Sequence, residues 1–253
     1  MDVRYLRRGK KKKINIKRLL LLVLFFCIIA LMPTAYSSFL EIKLIQVKGN
    51  QNISTEKILS LISDYYGKNL LSVNSEEIKQ IITSSVPIEQ AKVDYKLPHT
   101  LIISVKERDI AAAIRYLSGF VIIDSKGHVV RLEPKLESYD LPVVTGLTII
   151  EANVAKKIIV KEGRDSFDSF LNLINSLKDL SSELSEIHVD TKSNEVGVFN
   201  LYTLDGYQIV LEHLDDNKIV TIKEVLNDLR ANDRGKGLII LIHETPVFRP
   251  YWS

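Results

Sequence analysis

Cysteine is almost missing from this chain of 253 residues. The single Cys27 sits inside an apolar run, so no disulfide can form within the chain and every core must hold by packing alone. Tryptophan occurs once, at Trp252. Eleven glycines and seven prolines are too dispersed for a flexible linker, and no internal repeat or low-complexity run stands out beyond one lysine cluster. The chemistry-bearing patterns are missing too. His99, His128, His188, His213 and His243 show neither H-E-x-x-H nor H-x-H spacing, there is no G-x-S-x-G elbow, and Gly235-Lys236-Gly237 lacks the spacing and hydroxyl of a phosphate loop. No catalytic residue, metal ligand or cofactor-binding residue is assigned, and no small-molecule substrate is expected. The acid pairs Glu76-Glu77 and Asp215-Asp216 stand where helices should begin, where the helix dipole accounts for them.

Charge is present but segregated. Residues 1–18 carry nine bases against Asp2 alone, which leaves 25 bases and 30 acids for residues 41–253, so a formal +3 hides a tail of +8 and a body of −5. An acidic body speaks against nucleic acid as a partner. Between tail and body, residues 19–40 are uncharged, and eleven of the first fourteen are Leu, Ile, Phe or Val. At about 1.5 Å per residue, a helix of that length covers roughly 30 Å of hydrocarbon. The reading is a single transmembrane helix at 19–40 in the plasma membrane, with the basic tail 1–18 cytoplasmic and everything after it extracytoplasmic, the lipid bilayer being one partner. A leader cleaved near Ala35-Tyr36-Ser37 is the rival reading.

After the apolar run, residues 41–48 read as a strand stopped by Gly49-Asn50. Ser54 is an N-cap with Glu56 in the first turn, and Ile58, Leu61, Ile62, Tyr65 and Tyr66 give one helical face. Asn74 and Glu77 form a capping box for a second helix that buries Ile78, Ile81 and Ile82. Ala91, Val93, Tyr95 and Leu97 alternate with polar residues, Pro98-His99 turns the chain, and Leu101, Ile103 and Val105 alternate again. Strand, helix, helix, strand, strand makes a sheet with two helices on one face. Glu107-Arg108 reads as an ion pair at the module boundary.

The second stretch, residues 109–253, starts with strands at 110–116 and 120–124 and a turn at 124–127 into 129–132. Phe167, Phe170, Leu171, Ile174 and Leu177 share a helical face over 165–180, with Asp165 as cap. Strands follow around Ile187 and Val189, at 196–204 and at 207–212, the last two joined by Asp205-Gly206 as a type I′ hairpin. A helix at 216–230 buries Ile219, Ile222, Val225, Leu226 and Leu229. The apolar run 238–242 lacks alternation, as expected of a strand covered on both sides.

Three groups of residues together resemble one family. Val47-x-Gly49-Asn50, the two short helices, and Leu97-Pro98-x-Thr100-Leu101-x-Ile103-x-Val105-x-Glu107-Arg108 are similar to the POTRA domain of the bacterial cell-division proteins FtsQ and DivIB, and Leu141-Pro142-Val143-Val144-x-Gly146 is similar to their "LPxxxG" corner. The fold expected is α+β: a single transmembrane helix, a POTRA domain (β-α-α-β-β) at 41–108, and a mixed-sheet β domain with helices at 109–253. One departure is that some Gram-positive relatives carry a long polar tail where this sequence stops at Ser253. The resemblance implies a non-enzymatic, bitopic scaffold of the divisome, concentrated at the division septum. Its partners would be FtsB/DivIC-type and FtsL-type proteins, which control septal peptidoglycan synthesis, with other divisome members recruited through POTRA. The implied partner site is the end of the β domain, where a sheet edge accepts a strand. It maps to Ile240, Ile242, Glu244, Val247, Phe248, Tyr251 and Trp252, whose apolar groups either bind a partner or fold back on their own core. The alternative is a POTRA-containing envelope translocation or chaperone module, although such proteins usually repeat the domain before a barrel.

Overall fold

The computed structural model describes residues 16–136, 141–190, 198–212, 216–242 and 245–251. Its first element is a helix, α1 (Ile16–Phe39). The expectation of a membrane span is corrected here. Among the described residues, no helix is long and apolar enough to cross a membrane. After Lys17 and Arg18, the described side chains of α1 run from Leu19 to Cys27 before those of 28–38 fall outside the described set. The single-pass topology, the cytoplasmic assignment of the tail, the extracytoplasmic placement of the body and the bilayer as partner all rested on that span, and they are withdrawn with it. Residues 1–15 lie outside the described residues.

The first sheet begins with β1 (Leu44–Lys48), followed by α2 (Thr55–Leu61), α3 (Ser75–Ser85), β2 (Ile88–Lys96) and β3 (Thr100–Glu107). The caps act where the sequence puts them: Lys57 N–H donates to the Ser54 hydroxyl at 3.3 Å, and Glu76 N–H to the Asn74 side chain at 3.0 Å. α2 is shorter than its apolar face suggests. A 3-10 turn over Ser63–Tyr65 takes over, so Ile58, Ile62 and Tyr65 are buried while Tyr66 turns outward. The strand order is β1-β3-β2, with β1 parallel and β2 antiparallel to β3. Ile45, Leu101 and Ile103 of the sheet meet Ile58, Ile62, Ile78 and Ile82 of the helices in one core. On the edge strand β2 the alternation weakens, because Ile88 and Val93 are buried in that core while Ala91 is only half-buried and Tyr95 stays exposed.

The second sheet is larger and more scattered in sequence. In chain order come β4 (Ala112–Tyr116), β5 (Gly119–Ile123), β6 (Val129–Glu133) and β7 (Val143–Thr145). A small ribbon of β8 (Ile149–Glu151) and β9 (Ile159–Val160), absent from the sequence reading, and the helix α4 (Arg164–Ser176) follow. Then come β10 (Leu184–Asp190), β11 (Val198–Thr203), β12 (Gln208–Glu212), α5 (Asp216–Ala231), β13 (Gly237–Leu241) and β14 (Val247–Pro250). All the strands but the ribbon join in the order β14-β13-β12-β11-β10-β7-β4-β5-β6. One face carries Ile114, Val144, Ile187, Leu201, Ile209 and Ile239, which pack with Phe167 and Phe170 of α4 and Ile222, Leu226 and Leu229 of α5.

Three local expectations are corrected. α4 starts at Arg164 behind Gly163, so Asp165 lies in the first turn rather than at the cap, and a separate 3-10 segment over Lys178–Glu183 replaces the last helical turn. The Asp205-Gly206 hairpin closes on Thr203 and Tyr207 around three residues. Gly206 N–H donates to Thr203 C=O at 3.1 Å and Gly206 has φ of +95°, a type I turn followed by a left-handed glycine instead of type I′. β13 is covered on one face only: Ile239 and Leu241 are buried, whereas Leu238 and Ile240 are half-buried on the open side.

Candidate functional site

The open side of the second sheet is assembled from its cross-strand register. One row places Val143, Glu186, Tyr202, Gln208, Leu238 and Arg249 side by side, and the next Thr145, His188, Asn200, Val210, Ile240 and Val247. The β7–β10 end is polar and satisfied within itself: Thr145 Oγ1 donates to Glu186 Oε1 at 2.6 Å and lies 2.8 Å from His188 Nδ1. Gln208 Nε2 donates to Asn200 Oδ1 at 3.2 Å. Burial, with Glu186 and Tyr251 adding to it, pushes the Tyr202 phenol above its ordinary range. Toward β13 and β14 the face carries Val210, Leu238, Ile240 and Val247, with the exposed Arg249 beside Leu238. Thr145, Glu186 and His188 bridge the neighbouring strands β7 and β10. Among the described residues, no group of three or more His, Cys, Asp or Glu could hold a metal ion.

The residues singled out from the sequence divide between the two sides of this sheet. Phe248 stands opposite Ile239 and packs against the core, next to Val225 and Leu229 of α5. Val247 and Tyr251 are 43% and 47% exposed, and Ile240 lies opposite Val247 on the open side. Ile242, just past β13, is half-buried. Glu244 and Trp252 lie outside the described residues. The sequence reading missed that residues 247–250 form a strand at all, since two β-favouring residues between Pro246 and Pro250 give little periodicity.

A second polar cluster joins the two sheets. Among the described residues Glu107 pairs with no arginine: its carboxylate accepts the N–H groups of Gln51, Asn52 and Ile53 at 2.7 to 2.9 Å, filling the turn after β1. Burial raises its pKa, but these bonds outweigh burial and hold it below the ordinary carboxylate range. Arg108 reaches across to Asp124 at 2.7 Å, with side chains only 9% and 7% exposed. The expected Glu107–Arg108 ion pair is thereby corrected, because adjacent strand residues point to opposite faces. Glu89 bonds both Lys106 of its own sheet and Lys126 in the turn between β5 and β6, and these hydrogen bonds lower its pKa to about 2.

A POTRA domain of the FtsQ type matches residues 40–108, the span of the first sheet. The C-terminal region of the cell-division protein FtsQ/DivIB matches residues 112–239, half of the chain, from β4 into β13. The chain belongs to the FtsQ/DivIB family. Cell division protein DivIB of Clostridium botulinum is 28% identical over 246 residues, 94% of this chain and 93% of that protein. DivIB of Clostridium tetani is 27% identical over 157 residues, 62% of this chain and 59% of that protein, so the match spans about three fifths of that relative. FtsQ of Syntrophotalea carbinolica is 27% identical over 204 residues, 77% of this chain and 68% of that protein. Members of the FtsQ/DivIB family are non-catalytic scaffolds of cell division, and this chain is one of them. β14 begins eight residues beyond the last residue that the FtsQ/DivIB model matches.

Proposed function

We propose that the chain works at the division septum by linking division proteins, and that its C-terminal edge receives FtsB/DivIC-type and FtsL-type partners by strand addition. The observation that carries this reading is the position of β14: it is the last strand of the nine-stranded sheet, no other strand among the described residues pairs with its outer edge, and Val247 and Tyr251 beside it are exposed. Ile240, Ile242, Glu244, Val247, Tyr251 and Trp252 form the proposed contact set, with Phe248 anchoring the strand from the core side. The POTRA module, residues 41–108, is proposed to recruit other members of the machinery, and residues 109–253 to form the partner-binding module. The double variant Val247→Glu with Tyr251→Ala tests this without uncovering Phe248. Co-purification of the FtsB- and FtsL-type proteins should fall at least about tenfold while circular dichroism stays unchanged. Undiminished recovery of both would remove the C-terminal edge from consideration. A fluorescent fusion should give a midcell ring, and a uniform signal would favour the transport alternative.

A further inference from the structure

The backbone of β14 is not an ordinary sheet edge. Tyr251 N–H donates to Lys236 C=O at 3.1 Å, and the register pairs Leu238 with Arg249 and Ile240 with Val247. In an antiparallel ladder, alternate residues bond inward and outward. Residues 247, 249 and 251 therefore direct their N–H and C=O groups at β13, and 248 and 250 direct theirs outward, with 246 in the same phase. Two of those three outward positions are Pro246 and Pro250, which have no N–H. The outer edge thus offers three carbonyls and a single donor, the N–H of Phe248.

This asymmetry decides what can join the edge. Two copies of β14 bring one outward N–H each, so whatever their direction or register they form at most two backbone hydrogen bonds. A proline-free extended segment of five residues brings three donors of its own, accepts the fourth bond from Phe248, and so doubles the ladder. We infer that Pro246 and Pro250 make this edge selective for a proline-free strand of a different protein and reject pairing with a second copy of the same chain. The inference rests on the reading of β14 as the docking strand but adds a constraint on its occupant, set by donor count alone.

The test needs no partner, so its outcome is separable from that of the co-purification above. Full-length wild-type chain and the double variant P246T/P250T, identical at every other position, are compared by sedimentation over a range of concentrations, with amide exchange read at Phe248. Restoring both donors lets a symmetric edge pair form six bonds. The variant is expected to self-associate at least about tenfold more tightly than wild type, and Phe248 N–H, fast to exchange in wild type, should become protected in it. P250T alone should show a smaller step in the same direction, which keeps the test decisive if the double variant folds poorly. Equal association of wild type and both variants, or a protected Phe248 amide in wild type, would overturn the inference.

Discussion

Gly49 and Gly146 end corresponding strands in the two modules. Each stands two residues after a valine, Val47 or Val144, at the end of a strand that runs parallel to its neighbour, β1 beside β3 and β7 beside β10. Each has a φ near +87°, and a Cβ there would collide with the carbonyl of the neighbouring strand, at Val105 in the first case and Val189 in the second. The same local solution, a left-handed glycine that lets the chain leave a parallel pair, serves two unlike surroundings. Around Gly49 the turn is held by Glu107, a side chain from the far end of β3. Around Gly146 the neighbouring Thr145 is tied to Glu186 and His188 on the open face. The first turn is held by a carboxylate that accepts its backbone N–H groups directly, whereas beside the second the polar contacts run between side chains of neighbouring strands.

The strongest way to break this parallel is to put the side chain back. Gly49→Ala and Gly146→Ala should each cost about 3 kcal/mol, a left-handed penalty plus displacement of a strand carbonyl. Hydrogen exchange should show the loss confined to the first sheet for G49A and to the second for G146A. Loss in both sheets from either change would mean that the modules unfold as one unit. Next comes the link between them. Asp124→Ala strands the buried Arg108 guanidinium and should cost about 3 kcal/mol, and calorimetry should then resolve two transitions further apart than in wild type. Glu107→Gln removes the charge that the first turn depends on, for about 2 kcal/mol. It should raise exchange at Gln51 to Ile53 without touching the Gly146 turn. The smallest effect is the pH dependence. Glu89, at about 2, and Glu107, below its ordinary value, are both lowered in the folded chain. Their stabilisation is therefore complete above the unfolded carboxylate range, near pH 4.5, and is lost as pH falls from there toward 2. Urea midpoints across that window should fall for wild type and fall less for E89Q.

Local physics was legible in the sequence where one residue acts on its own turn. Ser54 and Asn74 cap their helices, the alternation of Leu101, Ile103 and Val105 places β3, and the apolar face of α5 is the one buried. Reading failed where a distant partner competes with a neighbour. Glu107 bonds a turn more than fifty residues back in preference to the adjacent Arg108, and Arg108 finds Asp124. The candidate site shows the same division. Val247, Phe248 and Tyr251 stood out as apolar groups near a terminus, but only pairing with β13 separates Phe248, turned into the core, from Val247 and Tyr251, turned to solvent.

Composition and periodicity by themselves determined that the body has no disulfide, that it folds around two cores, and that its residues carry no catalytic motif, because these follow from which side chains exist and how they repeat along one segment. The tertiary structure alone decided that β1 lies parallel to β3, that β7 sits between β4 and β10 to join two groups of strands into one sheet, and that Phe248 stands opposite Ile239 on the core side. Strand neighbours and hydrogen-bond phase are relations between segments far apart in the chain, and the free energy that selects them appears only when those segments meet.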